Sequence, residues 1–245
     1  MGAEVFVTCG VVLVLFVLHQ MWWTNEQARA QAVDQVRDLE REWARSPGEL
    51  GGGTRSAQPA QPGEAGESGE AGGSDAVAEG SGGSSGDDGG GSGNSRGGSS
   101  SAYAVLRIPR LGLTVPIADG VGKRSVLDRG FVGHYPGTAG PGRAGNFALA
   151  GHRNTHGEPF RYVNRLRDGD VIEVRTRSGS YRYRVDLVLP QTSPRDVGVI
   201  APVPRSLYKP SYGYDAPGSY LTLTTCTPEY TSTYRLIIWA KLVTP

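Results

Sequence analysis

A lone cysteine closes one of the clearest strand-like runs in this chain. Cys226 ends Ser219-Tyr220-Leu221-Thr222-Leu223-Thr224-Thr225-Cys226-Thr227-Pro228, where β-prone residues stop at a proline. The only other cysteine, Cys9, lies inside an apolar segment near the start. If that segment crosses a membrane, the two cannot pair. A lone thiol in an exported domain is unusual, because oxidising compartments favour disulfides. Cys226 is therefore either a buried spectator, a common fate of free cysteine, or a nucleophile. A nucleophilic cysteine needs a thiolate, a proton-transfer partner and a donor for the developing oxyanion.

The candidates for those roles are few. Downstream of the apolar segment there are only His134, His152 and His156. His152 follows the strand-like run Asn146 to Ala150 through Gly151, with the small residues Ala148 and Ala150 on its own face. It is the candidate acid/base, set against the plainer reading of a surface histidine at a strand end. His134, in Gly133-His134-Tyr135-Pro136, is a candidate for the wall of the site. With Tyr135 and Thr225 it makes up the candidate substrate contacts. His156 lies in a polar loop and reads as solvated. Arg235 opens the last strand-like run, and the connection Thr227 to Tyr234 suits a hairpin. Cys226 and Arg235 can then meet at one end of a sheet. A guanidinium there can hydrogen-bond a carbonyl oxygen and favours a thiolate nearby. The alternative is an ordinary surface arginine. No His/Cys group stands at zinc spacing and the acidic residues are scattered, so neither a metal site nor a cofactor is expected.

Together these segments resemble the sortases, membrane-anchored cysteine transpeptidases of Gram-positive bacteria. The resemblance rests on Thr224-Thr225-Cys226-Thr227-Pro228, on Arg235 nine positions after the cysteine, and on Gly133-His134-Tyr135-Pro136-Gly137-Thr138 with Asn146-Phe147-Ala148-Leu149-Ala150-Gly151-His152-Arg153. It covers about residues 103–245 and is most similar in wording to the class E branch of actinobacteria. It implies an eight-stranded β-barrel. It implies that Cys226 attacks the Thr–Gly bond of a C-terminal sorting signal of LPxTG or LAxTG type, that His152 is the acid/base, and that Arg235 positions substrate and stabilises the oxyanion. The thioacyl enzyme would pass the secreted protein to an amine on a peptidoglycan precursor. The residues leave open whether Cys226 and His152 form an ion pair or a neutral pair. An L,D-transpeptidase expects Ser-x-Gly-Cys-x-Arg around its cysteine, which this chain lacks. A non-catalytic tethered barrel remains the other alternative, and it predicts a thiol inert to alkylation.

The elements that must position these residues read mainly as strands. Tyr181, Tyr183, Val185, Leu187 and Leu189 alternate with more polar neighbours, which predicts one face of a strand. Further candidates are 104–108, 146–150, 171–175, 221–225 and 235–242. A short helix is expected from Pro159, carrying Phe160, Val163 and Leu166 and ending before Asp168-Gly169. Many short strands between Gly/Pro turns, with one or two short helices, argue for a mainly-β closed or nearly closed barrel. Gln191 to Gly218, rich in Pro and Tyr, is either a specificity loop or a plain surface loop.

Upstream of the barrel the chain changes character twice. Val5 to Trp23 is apolar, and as a helix it is roughly 28 Å long, close to a hydrocarbon core. Trp22 and Trp23 fall where an interfacial belt belongs. The competing signal peptide would need small residues at a cleavage site, and His19-Gln20-Met21-Trp22-Trp23 has none. Residues 1–23 therefore read as a single-pass membrane anchor, with the C-terminal part outside. Residues 24–46 read as a solvated juxtamembrane helix with Val36, Leu39 and Trp43 spaced along it. Residues 47–101 are dominated by Gly, Ser, Ala and Glu and read as a disordered tether of roughly 40 Å r.m.s. span. Residues 102–245 read as the catalytic domain that the resemblance implies. The net charge of +1 gives no support for nucleic-acid binding.

Overall fold

The structure, a computed structural model, describes residues 2–45 and 101–243. The tether expected over 47–101 lies, apart from Ser101, outside the described residues. One helix, α1 (Gly2–Arg45), precedes eight strands: β1 (Ala102–Ile108), β2 (Leu113–Asp119), β3 (Val132–His134), β4 (Gly145–Ala150), β5 (Val171–Thr176), β6 (Gly179–Thr192), β7 (Ser219–Thr227) and β8 (Tyr234–Leu242). The strands close into a barrel in the order β1-β2-β3-β4-β7-β8-β6-β5. The β2–β3 and β4–β7 pairs are parallel. The other neighbours are antiparallel.

Alternation along each strand sorts side chains between two cores. Phe147 and Leu149 of β4, Leu221 and Leu223 of β7, and Ile238 and Ala240 of β8 fill the barrel. The intervening Tyr220, Ile237 and Trp239 pack outside it with Val199 and Tyr214 of the β6–β7 connection. Each fully buried Leu, Ile or Phe contributes about 1.5–3 kcal/mol.

Two local expectations need correction. The stripe from Tyr181 to Leu189 does not keep one face. The β6–β8 register shifts between Val185 and Leu187. Tyr183 and Val185 face the barrel core, whereas Leu189 joins the outer cluster. A bulge adds one residue and reverses the alternation, and period-two counting does not detect it. The helix expected from Pro159 is a run of turns ending in a 3-10 turn at Val163–Arg165. Its bonds run from residue i+3 to residue i: Arg161 N to Glu158 O, Val163 N to Phe160 O, and Leu166 N to Val163 O. Phe160, Val163 and Leu166 are all buried. Their spacing of three suits three residues per turn, and a 3-10 turn places them on one side.

The largest departure concerns residues 24–45. Helix α1 is continuous, about 66 Å long at 1.5 Å per residue. Its first part is apolar and exposed from Val5 to Val17, and it is long and apolar enough to cross a membrane. Its second part is not simply solvated. Ala28, Ala32, Val36 and Leu39 are buried. Ala32, Val36 and Leu39 pack with Val105, Ala118, Val126 and Phe131 of the barrel, and Trp43 lies against them. The alanines carry little hydrophobic signal, yet they allow close approach. A Cβ on Gly130 would stand 2.7 Å from the Ala28 carbonyl oxygen. Polar ties flank the seam. The Asn25 amide donates to Glu158 Oε1 at 3.1 Å and accepts from Gly157 N at 3.3 Å. Arg175 meets Glu40 at 2.9 Å.

This packing makes a prediction. A fragment beginning at Ser101 is expected to fold, because the barrel closes without α1, but to unfold at lower temperature than the full chain. In the full chain, Leu39→Ala should cost about 2–3 kcal/mol. Thermal and denaturant unfolding measure both. An unchanged Leu39→Ala midpoint would mean the helix is not held on the barrel.

Candidate active site

Strand order brings the candidate residues to one rim. In the parallel β4–β7 pair, Ala150 lies opposite Thr224. The two strands therefore end together, with His152 just past one end and Cys226 near the other. Strand β8 runs back from that rim, and Cys226 lies directly opposite Arg235. Directly paired residues have Cβ atoms about 5 Å apart on the same face. That is the outer face of the wall, shared with Tyr220 and Ile237. A cleft of 620 Å³ lies there, lined by Tyr135, His152, Arg153, Thr225, Cys226 and Arg235 among others. Cys226 is neither disulfide-bonded nor fully buried.

Backbone contacts fix the histidine. Gly151 N donates to Thr224 O at 3.2 Å, and Phe160 N donates to His152 O at 2.9 Å. Thr225 Oγ1 donates to Gly151 O at 2.8 Å. Position 151 must be small, since a Cβ there would stand 2.7 Å from the Phe160 ring. Thr225 thus clamps β7 to the histidine loop, and its side chain is buried. The Tyr135 hydroxyl stands 3.0 Å from Thr224 Oγ1. Thr224 gives its own proton to Leu149 O, so Tyr135 is the donor.

His134 does not join the cleft. Its Nε2 lies 3.1 Å from Ala139 O, and its Nδ1 lies 2.9 Å from the Tyr103 hydroxyl. A carbonyl only accepts, so Nε2 carries the proton and Nδ1 accepts from Tyr103. Its ring packs edge-on to Phe147. It is not among the residues that line the cleft. It braces the β3–β4 corner, with both ring nitrogens engaged.

Three residues at the site were not singled out from sequence. Asp128, in the 3-10 turn Leu127–Arg129, accepts a 2.8 Å hydrogen bond from His152 Nε2. Arg153, 6% exposed, donates from Nη1 to Cys226 O at 3.2 Å and to Thr227 Oγ1 at 3.0 Å. It ties the histidine loop to the cysteine strand. His156, expected to be solvated, stacks on His152 with ring centroids 5.3 Å apart. Its Nδ1 lies 3.6 Å from the same Asp128 oxygen. Asp128, His152 and His156 form a group with metal-ligand geometry, where linear spacing predicted none. His152 and His156 are four apart in sequence, but Asp128 arrives from a distant turn. Arg235 lines the cleft and donates from Nη1 to Ser232 O at 2.9 Å and Tyr234 O at 3.0 Å. Those bonds hold the guanidinium at the rim.

Electrostatics at His152 oppose one another. Burial pulls its pKa below the ordinary value of 6.5, and the Asp128 hydrogen bond and charge pull it partly back. The fold therefore favours neutral imidazole. With the folded pKa below the unfolded one, this residue costs stability progressively as pH falls below about 6.5.

The comparisons with known proteins come down on one side. A family model described as a sortase domain matches residues 106–243. The chain belongs to the sortase family. It is 42% identical to sortase SrtE1 of Streptomyces coelicolor over 98% of this chain and 56% of that protein. It is 30% identical to SrtE2 of the same organism over 98% of this chain and 80% of that protein. This sortase chain thus spans little more than half the length of SrtE1. The crystal structure of S. coelicolor sortase E1 with a tripeptide in its active site superposes with a TM-score of 0.55 at 52% identity, covering 58% of this chain and 88% of that one. Sortase E of Streptomyces avermitilis matches at 42% identity with a TM-score of 0.50, over 58% of this chain and 88% of that one. The class E likeness expected from the cysteine and histidine segments is thereby found, as is the closed barrel.

Asp128 provides a test of the sortase site. Asp128→Asn removes the interactions that raise the His152 pKa and leaves the burial that lowers it. The imidazole titration, followed by NMR, should move to lower pH. Loss of the orienting carboxylate should reduce kcat/KM by about 10²-fold. A titration that stays in place would remove Asp128 from the proton-transfer unit.

Proposed function

We propose that this sortase cleaves a C-terminal sorting signal between Thr and Gly and transfers the protein to an amine of a cell-wall precursor. The observation that carries the reading is the register of Cys226 with Arg235 across β7–β8, with His152 at the adjoining end of β4 on the same cleft. In the first step His152 takes the Cys226 thiol proton as the sulfur attacks the Thr carbonyl carbon. Negative charge develops on that carbonyl oxygen, where the Arg235 guanidinium donates. His152 passes a proton to the departing Gly nitrogen, and a thioester remains. The acceptor amine then attacks the thioester carbon. His152 takes the amine's proton and returns it to the departing Cys226 sulfur. Asp128 stabilises the imidazolium that each transfer requires.

Two features support an extended peptide as substrate. The cleft continues into a groove of 120 Å³ that shares Tyr135, Thr224 and Arg235 and adds Pro194, Val197, Ile200 and Ile237. These apolar walls fit the leading Leu of an LPxTG or LAxTG signal. The segment 193–200 that forms one wall is pinned by buried Asp196, whose carboxylate accepts from Thr192 Oγ1 and Ser206 Oγ and from Leu207 N at 2.8 Å. Class E likeness favours the LAxTG form. The exposed apolar part of α1 supports a membrane anchor, with the barrel on the outer side of the cell membrane where sorting signals and wall precursors are found.

The assay pairs LAxTG and LPxTG peptides with a glycine or diaminopimelate-type amine and follows ligated product. Cys226→Ala should abolish cleavage and leave the fold unchanged by circular dichroism. Arg235→Ala should lower kcat by about 10²–10³-fold with a modest change in KM, because the charge it meets exists only in the transition state. Arg235→Lys keeps the charge and loses the planar fork, so it should rescue poorly. Near wild-type turnover in folded Arg235→Ala would remove that residue from the mechanism.

A further inference from the structure

His156 has no part in the reaction just described, yet it is held against the acid/base. Its Nδ1 is buried and, among the described residues, has no hydrogen-bond partner. It points at Asp128 Oδ1 from 3.6 Å. The same oxygen stands 2.8 Å from His152 Nε2. The three donor atoms all lie within 4.8 Å of one another. In a tetrahedral zinc site, metal–nitrogen bonds of 2.0–2.1 Å place neighbouring ligand atoms about 3.3 Å apart. The observed separations bracket that value. Only small side-chain adjustments are needed.

The arrangement is built rather than incidental. Asp128 sits in a 3-10 turn that ends at Gly130, whose left-handed φ of 76° fixes the chain under Ala28. His156 has a φ of 52°, and Glu158 shares that value. Helix α1 holds the histidine loop in place through Asn25 on Gly157 and Glu158. The three side chains are partly exposed, at 24% for Asp128, 16% for His152 and 28% for His156. That leaves one side open for water as a fourth ligand. Two imidazoles and one carboxylate suit Zn²⁺, Co²⁺, Ni²⁺ or Cu²⁺. They do not suit Ca²⁺ or Mg²⁺, which take six or more oxygens.

We propose that Asp128, His152 and His156 form a regulatory site for a divalent transition metal, with Zn²⁺ the chemical type. Binding puts a cation on His152 Nε2 in place of the Asp128 hydrogen bond, which opposes protonation of the same ring at Nδ1 and switches the transpeptidase off reversibly. The inhibition rests on the acid/base role proposed for His152, whereas the binding does not.

The test uses the full chain in detergent micelles. Co²⁺ binding is read from its visible d–d absorption, and Zn²⁺ binding by calorimetry. One site per chain is expected. His156→Ala should weaken binding by at least about tenfold, and His156→Gln, which keeps a polar side chain of similar size, should do the same. Cys226→Ala should bind as the parent does. Zn²⁺ should suppress peptide transfer, a chelator should restore it, and the inhibitory concentration should rise in the His156 variants relative to each one's own metal-free rate. Unchanged affinity in both folded His156 variants would overturn the site. Loss of binding in Cys226→Ala, with a sulfur-to-cobalt charge-transfer band in the parent, would also overturn it and assign the metal to the cysteine. Stoichiometric binding that depends on His156 but leaves transfer undiminished would uphold the site and overturn the role of His152.

Discussion

The parallel pairing of β4 with β7 is the constraint on which the site depends. Two parallel strands end at the same rim, so residues just past their C-terminal ends become neighbours however far apart they are in sequence. Leu149 opposite Leu223 and Ala150 opposite Thr224 set that register. A shift of one residue would turn every side chain on β7 to the other face and carry Cys226 into the wall. The antiparallel return of β8 then supplies the guanidinium at the one position where the hairpin allows it, opposite the cysteine. Histidine, thiol and arginine thus converge through backbone pairing, with no large side-chain network needed to gather them. Thr225 and Arg153 lock what the pairing has assembled, one through Gly151 O and the other through Cys226 O.

A second layer of support comes from outside the barrel. The 3-10 turn that carries Asp128 and the loop that carries His156 both lie under α1. Glu158 is the junction. Its side chain is only 4% exposed, and it meets Arg29 at 3.4 Å and Arg161 at 2.5 Å. A buried carboxylate is tolerated when its charge is paired and hydrogen-bonded, and Asn25 adds a further donor. The helix that carries the apolar membrane-type segment therefore reaches the loops beside His152. Asn25 follows closely on Trp22 and Trp23, which are exposed. A rigid helix of this kind holds the cleft at one height and one orientation relative to the apolar segment.

Local signals in the sequence were enough for most strands and for the gathering of Cys226, His152 and Arg235 at one cleft. The runs at 104–108, 146–150, 171–175, 221–225 and 235–242 all lie within strands. Cys226 and Arg235 were legible because a hairpin is a short-range feature, and His152 because it follows a strand through a glycine. What was missed is non-local or weakly apolar. Strand β2 contains Pro116, and β3 is only three residues long, so neither gives a periodic signal. Asp128 has nothing in its own neighbourhood to mark it, since its partner arrives from the end of β4. The contact face of α1 is half alanine, which a hydrophobic count passes over. His134 shows the opposite limit of a linear reading. A histidine beside a tyrosine and a proline looks functional in one dimension, but in three its ring nitrogens are both engaged in the β3–β4 corner.

The placement of Cys226 on the outer face of the wall, not within the barrel, has a physical logic. The barrel core is dry and closely packed, and a charged intermediate formed there would carry a large desolvation cost. On the outer face, Cys226 has the apolar cluster of Tyr220, Ile237 and Trp239 to one side and the polar histidine loop to the other. The small side chain of Ala150 keeps the surface between them low. That asymmetry sets an apolar shelf on one side of Cys226 and a hydrogen-bonding rim on the other. His152 lies between the two, buried enough for its pKa to fall and open enough for its ring to be reached from the cleft. Asp128 sets that balance from behind the ring, without entering the cleft.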